Sequence, residues 1–357
     1  MVQINSINIT PPLLNSSCAW SSDLAQLKAL YESPFTGAIT TRTATLKGYK
    51  ENESNTFAFT NDTVSSINSY GYSPHPFAKY LLWIEEILTS TSNRKPIIVS
   101  LTSDVDDPES LAAMISQLQD LREKTGDQAN DGNALIAIEL NTSCPNIKNA
   151  PPPGYNFGSL RPLLQVLSEA YAEDPTLTIG LKLPPFVHEQ QFLSVLDEIT
   201  SLNSDAAKLH TRNRAASKMN SADPAGGTGC FISFFTCTNT LGNSLLFADQ
   251  SLSLTSPSSS STSIKQSNIS TNSALPTVLG GLAGEALHPL ALGNVYRFSQ
   301  SLKGLENSAS RIKVIGVGGV TSVRARERMI TAGADAVACA TLLGREGVKA
   351  FEILSQT

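Results

Sequence analysis

Charge is scarce in this sequence. Charged residues make up 16% of the 357 positions, against about 25% in an average soluble domain. Lys+Arg number 26 and Asp+Glu 31, a net charge of −5, and this acidic balance lacks the basic footprint of a nucleic-acid binder. Cysteine is rare and unpaired in spacing: Cys18, Cys144, Cys230, Cys237 and Cys339 form no Cys-x-x-Cys motif. That excludes a disulfide framework and a structural zinc site of ordinary spacing. His75, His188, His210 and His288 stand far apart, so no metal site is expected. No apolar run approaches the ~20 residues that a membrane helix needs, and the first thirty positions carry no secretory or transit pattern. The expected setting is soluble, reducing and cytoplasmic.

What is present is apolar and periodic. A hydrophobic content of 41% over this length supports one large barrel or two medium domains. Strand-like runs fall at Gly37–Arg42, Val64–Ser69, Pro96–Leu101, Ala134–Asn141, Thr178–Leu183, Cys230–Thr238, Lys313–Gly318 and Ala336–Thr341. They are mostly continuous rather than alternating, as parallel strands covered on both faces require. Helical stripes separate them: Leu111, Met114, Ile115, Leu118 and Leu121; then Leu160, Leu163, Leu164, Leu167 and Tyr171; then Phe192, Val195, Leu196, Ile199 and Leu202. Asp107 with Pro108 reads as a helix start, and Gly333 as a stop. Eight strands with intervening helices predict a (β/α)8 TIM barrel spanning 1–357 as a single domain; a doubly wound open sheet is the alternative. Two stretches exceed a minimal barrel and read as surface insertions: the polar, Gly-rich 203–229, and 251–273, where eleven of twenty-three residues are serine. The second is too poor in apolar surface to offset the entropy of ordering.

In such a barrel the chemistry collects at the C-terminal ends of strands. Those positions hold Arg42; Asn68 and Ser69; Asn141, Ser143, Cys144 and Asn146; Lys182; Asn239 and Thr240; Gly318 and Gly319; Ala340 and Thr341. Amides dominate, with one thiol, two cations and a glycine pair. Paired carboxylates are absent from the list, so two-carboxylate hydrolysis is poorly supported. Glycine-rich turns at Leu279–Pro289, Ile315–Val320 and Ala338–Gly347 offer backbone N–H groups to a phosphate, or simply permit tight turns. Lys182, inside a strand, needs a partner: a salt bridge in the barrel, or an electron-rich cofactor atom such as the edge of a flavin. Cys144 sits in "ELNTSCPN", between asparagines and before a proline; a reactive thiol and a small buried hydrophobe are the two readings.

Taken in order, "SINSYG", "ELNTSCPN", "GLKLPP", "TNTLGNSL" and "IGVGGV" followed by "ATLLGREG" resemble the dihydroorotate dehydrogenases, most closely the soluble, fumarate-linked class 1A enzymes. The likeness covers most of the chain outside the two insertions. It implies FMN as cofactor, dihydroorotate and orotate as substrate and product in pyrimidine biosynthesis, fumarate as acceptor, and a homodimer. By the same resemblance Cys144 is the base that takes the C5 proton while hydride leaves C6 for the flavin. Asn68, Asn141, Asn146, Asn239 and Thr240, with Arg42, Tyr70, Gly71 and Tyr72, would hold the substrate. Ser16, Ser17, Arg42, Asn141, Lys182, Gly280, Gly281, Gly318, Gly319, Ala340 and Thr341 would hold the cofactor. The loop Asn149–Gly154 would close over the thiol as a lid.

The chain departs from the family pattern at several of these positions. Arg42 stands where a lysine is usual, Ala340 and Cys18 stand where glycine is usual, and Tyr70 and Tyr72 replace smaller side chains. Arginine is bulkier and forked, so its exchange for lysine is not conservative. These departures motivate the rival readings of an FMN oxidoreductase for another cyclic imide or pyrimidine, a non-catalytic ligand-binding barrel, and a flavin-free phosphate-binding lyase or isomerase.

Overall fold

The computed structural model describes residues 1–91, 94–127, 133–147, 151–216, 229–252 and 272–356. Eight parallel strands form one sheet: β1 Leu13–Asn15, β2 Ile39–Thr40, β3 Ile97–Leu101, β4 Ile136–Asn141, β5 Thr178–Leu183, β6 Phe234–Cys237, β7 Lys313–Val317 and β8 Ala336–Cys339. Each strand pairs with its successor from β2 to β7, β7 pairs with β8, and β8 returns to β1. The β1–β2 seam is completed by a side chain. Asn15 Oδ1 accepts from Thr40 N at 2.8 Å, its Nδ2 donates to Thr40 O at 2.6 Å, and Gly37 N donates to Leu13 O at 2.8 Å. The fold is the (β/α)8 barrel that the alternating pattern predicts.

Helices follow the strands in turn: α1 Leu24–Glu32, α2 Phe77–Ser90, α3 Pro108–Thr125, α4 Arg161–Glu173, α5 Glu189–Ala216, α6 His288–Lys303, α7 Val323–Thr331, and after β8 the short α8 Thr341–Glu346 and α9 Lys349–Ser355. The start of α3 is the one expected, with Asp107 Oδ1 accepting from Ser110 N at 3.1 Å and Pro108 at the first position. Alternate strand residues face the helices or the barrel axis. Ile136, Ile138 and Leu140 of β4 join the outer core, whereas Ala137 packs with Leu14, Ile98, Phe234, Ile315 and Ala338 inside. Phe234 fills the axis so fully that a Cβ on Gly180 would lie 2.1 Å from its ring, which explains a glycine in mid-strand. An N-terminal hairpin, Val2–Ile4 with Ile7–Ile9, closes the bottom of the barrel with three fully buried isoleucines, Ile4, Ile7 and Ile9.

One of the expected assignments needs correction. The run Val64–Ser69 is a strand, but it lies outside the barrel. Ser65–Asn68 belongs to an antiparallel sheet ordered Leu241–Leu245, Leu279–Gly284, Ser65–Asn68, Phe57–Phe59. The barrel strand that takes its place is Leu13–Asn15, whose three residues carry no periodic signal. The 203–229 stretch also begins as regular helix, because α5 continues through Ala216. Residues 217–228, positions 253–271 of the serine-rich 251–273 and positions 149–150 of the expected lid Asn149–Gly154 lie outside the described residues.

Candidate active site

The antiparallel sheet stands over the C-terminal ends of the barrel strands, and a cavity of about 1000 Å³, its open mouth included, lies between them. Every strand except β3 sends residues into its wall: Ser16 and Ser17 after β1, Arg42 and Thr43 after β2, Asn141, Cys144 and Asn146 after β4, Lys182 from β5, Thr238–Thr240 after β6, Gly318 and Gly319 after β7, and Ala340 and Thr341 after β8. Asn68, Tyr70, Gly71 and Tyr72 enter from the antiparallel sheet and the turn that follows it. The predicted site residues are therefore brought together, with one exception. Gly280 and Gly281 do not line the cavity. Added Cβ atoms there would lie 2.5 Å from Asn68 O and 2.3 Å from Thr240 Oγ1 respectively, so these glycines serve close strand packing. The wall near Gly318 is supplied instead by Ala283 and Gly284, a few residues on.

The amides form a connected set. Asn141 Nδ2 donates to Thr43 Oγ1 at 2.9 Å, and Asn239 Nδ2 donates to Asn141 Oδ1 at 3.1 Å and to Ser143 Oγ at 3.2 Å. On the other side, Asn146 Nδ2 donates to Asn68 Oδ1 at 3.0 Å and to Tyr70 O at 2.8 Å, while Asn68 Nδ2 donates to Gly281 O at 3.1 Å. Such mutual bonds fix each amide's orientation, and the capacity left over faces the cavity. Beneath them Glu139 is buried on the barrel axis, accepting from Ser100 Oγ at 3.2 Å and Thr236 Oγ1 at 2.6 Å.

Cys144 is half-buried, and its Sγ donates to Tyr70 O at 3.8 Å. Burial pushes its thiol up from the ordinary value; the Asn146 backbone N–H and the charges of Lys182 and Arg42 oppose that without cancelling it. Lys182, 5% exposed, donates from Nζ to Ser17 O at 3.0 Å, and no ion pair to it is found among the described residues. Ser16 Oγ and Thr238 Oγ1, buried in the same wall, have no hydrogen-bond partner among the described residues. A buried ammonium with one carbonyl and two unsatisfied hydroxyls are costly unless a polar ligand completes them.

The opposite end is shaped by backbone. Gly318 and Gly319 have φ of 129° and 67°, and a Cβ on Gly319 would lie 2.5 Å from His288 Cβ. His288 braces this turn: Arg328 Nε donates to its Nε2 at 3.2 Å, which leaves Nδ1 to carry the proton toward Gly318 O, 2.7 Å away. Ser66 and Thr341 meet at 3.2 Å between their hydroxyls, tying the antiparallel sheet to the start of α8. Arg42 is buried and heavily engaged. It ion-pairs with Glu51, donates to Gly71 O and Tyr72 O at 3.2 Å and to Ser22 Oγ at 3.3 Å, and lies 5.1 Å over the Tyr70 ring. Glu51, Thr43, Thr238 and Gly284 are not among the predicted site residues. Thr43 and Thr238 carry a signal in standing directly after a barrel strand, and Gly284 in lying within the glycine-rich turn Leu279–Pro289; Glu51 carries none.

A barrel with an amide- and thiol-lined cavity at its strand ends, a buried lysine at one side and a glycine turn at the other defines an enzyme of the (β/α)8 class. The chain belongs to the dihydroorotate dehydrogenase family, whose model matches residues 1–229 and 246–357. Among curated relatives, it is 25% identical over 347 residues to a protein of Streptococcus equi subsp. equi (strain 4047) named "Putative dihydroorotate dehydrogenase A (fumarate)", covering 96% of this chain and 87% of that protein. A protein of the same name from Streptococcus pyogenes serotype M5 (strain Manfredo) is 27% identical over 358 residues, covering 98% and 89% respectively. No helix among the described residues is long and apolar enough to cross a membrane.

Proposed function

We propose that this protein oxidises dihydroorotate to orotate with FMN as the hydride acceptor, fumarate as the terminal acceptor and Cys144 as general base, acting in pyrimidine biosynthesis as a cytoplasmic homodimer. The observation that carries the reading is one cavity holding a thiol, four asparagines and a buried lysine without a carboxylate partner among the described residues. Asn68, Asn141, Asn146 and Asn239 each offer a donor and an acceptor, which suits a ring of alternating C=O and N–H groups. The residues present fit the cofactor: Lys182 Nζ, Ser16 Oγ and Thr238 Oγ1 have unused hydrogen-bonding capacity, and the Gly318–Gly319 turn with Thr341 suits a phosphate. FMN, when bound, supplies the electron sink. The protein's part is to orient the ring through the amides and to accept the C5 proton on Cys144 Sγ.

Two expectations test this reading. The rate of flavin reduction rises with pH, and because burial raises the Cys144 thiol the rise continues beyond the ordinary thiol value of about 8.5. A stopped-flow series from pH 6 to about 10.5 measures it, and a flat profile with chemistry rate-limiting removes Cys144 as base. Lys182→Met should weaken FMN binding by about 10–100-fold, the worth of a hydrogen bond from a charged donor, as read by flavin fluorescence on titration of the apoprotein. Unchanged affinity would take Lys182 out of the cofactor site. The primary experiment mixes flavin-loaded protein anaerobically with L-dihydroorotate. Bleaching of the oxidised-flavin band is the expected result; a flavin that stays oxidised favours the alternative, an FMN oxidoreductase for another cyclic imide or pyrimidine.

A further inference from the structure

Arg42 is held by more groups than a ligand-binding cation needs, and those groups lead to the thiol. Its Nη2 bonds the Glu51 carboxylate and the Gly71 and Tyr72 carbonyls, and its guanidinium covers the Tyr70 ring. The carbonyl of that same Tyr70 accepts from both Cys144 Sγ and Asn146 Nδ2. Tyr49 packs on Gly71, where an added Cβ would meet its ring at 2.5 Å, and it meets Tyr72 edge-on at 5.9 Å between centroids. The turn 70–72 is thus fastened on one side by the arginine and on the other by the catalytic loop. Glu51 is the only carboxylate paired with Arg42 among the described residues, and the Arg42 side chain is 7% exposed, so the ion pair is largely shielded from water.

We propose that Glu51 is a positioning residue for the reaction: through Arg42 it holds the turn 70–72 so that the Tyr70 carbonyl fixes the Cys144 thiol and Asn146, and it neutralises Arg42 as an anion-binding group. The catalytic part rests on the reading of Cys144 as the base; the positional part does not. The charged or titratable groups facing Cys144 are Lys182 from β5, Arg42 from the end of β2, and Tyr49 and Tyr72 from the loops over the cavity. Removing the Glu51 carboxylate leaves the Arg42 charge unbalanced, which favours thiolate. Loosening Tyr70 O removes an acceptor that favours the protonated thiol. Both changes act in the same direction.

The test uses full-length, FMN-loaded Glu51→Ala and Glu51→Gln with two readouts. Alkylation of Cys144 by iodoacetamide, located by mass spectrometry with Cys144→Ser as control, should titrate at lower pH in Glu51→Ala than in the parent. The limiting rate of flavin reduction by dihydroorotate should fall about tenfold, as displaced catalytic groups do, at unchanged flavin content. Glu51→Gln keeps an acceptor for Arg42 and should recover part of the rate while retaining the shifted alkylation profile. A parent-like alkylation profile in both variants overturns the proposal. If Glu51→Ala fails to fold, Glu51→Gln alone decides it by that profile. If the parent does not reduce its flavin with dihydroorotate, the functional reading fails, and the alkylation comparison still decides the clamp.

Discussion

Cys144→Ser is expected to slow anaerobic flavin reduction by dihydroorotate by about 10²–10⁴-fold, the usual worth of a positioned general base, with flavin content unchanged. The hydroxyl is smaller than the thiol but can still donate to Tyr70 O, so Asn146 and the turn 70–72 keep their places. What changes is basicity. A thiol of ordinary pKa about 8.5 ionises far more readily than an alcohol, and a site that already raises its thiol by burial gives a serine no means of ionising. Stopped-flow absorbance at saturating dihydroorotate measures the effect. A loss under tenfold would mean that another group, or water, takes the proton. A loss accompanied by flavin release would mean that Cys144 supports the cofactor.

Arg122→Met should destabilise the protein by about 3–5 kcal/mol, the cost of breaking a buried ion pair from one side. Arg122 is fully buried at the base of the barrel, where it ion-pairs with Asp174 and Asp127 and donates to Thr176 Oγ1 and Asp127 O at 2.9 Å. Asp127 in turn accepts from Leu135 N and Ile136 N at the start of β4. The network therefore joins α3, β4 and the α4–β5 turn, and methionine would leave two carboxylates facing each other without a cation. Equilibrium urea denaturation monitors the loss; a change under 1 kcal/mol would mean that water replaces the guanidinium. Acid sensitivity should change too. Burial pushes Asp174 up, yet the Thr176 hydroxyl and amide and the Arg122 charge outweigh it and hold the carboxyl below its usual value. Its contribution is present above the ordinary aspartate pKa and is lost as pH falls through the folded value. That loss should be smaller in the variant.

The helices were the most legible part. The stripes of α3, α4 and α5 are buried as their spacing requires, with Tyr171 alone half-buried at the end of its stripe, because an apolar repeat of three and four residues has only one face to bury. Strands β3 to β8 were legible for a related reason. Their continuous runs face helices on one side and the barrel axis on the other, and both surroundings are apolar. The strand β1 was not, since Leu13–Asn15 is short and its last residue is polar. That polar residue, Asn15, makes the seam between β1 and β2, a role defined only when the two strands meet. The run Val64–Ser69 reads as a barrel strand because run length and composition cannot distinguish a barrel strand from one in a sheet laid over it.

The site divides in the same way. Positions after a strand are written in the sequence, so Cys144, Asn141, Lys182, Asn239 and Gly318 were available once the strands were. Gly280 and Gly281 belong to the same kind of glycine-rich turn as Gly318 and Gly319, and composition could not separate them. Only the antiparallel sheet places the first pair against Asn68 and Thr240 and the second pair in the cavity wall. The amino-acid order by itself determined the alternation of strand and helix, the chemistry carried to the strand ends and the acidic net charge, because these depend on local spacing and composition. The tertiary structure alone decided that the sheet holding Asn68 covers the barrel mouth, that Arg42 is committed to Glu51, and that Tyr70 O sits under the Cys144 thiol. Each of these is a contact between segments distant in sequence, set by packing that no local pattern encodes.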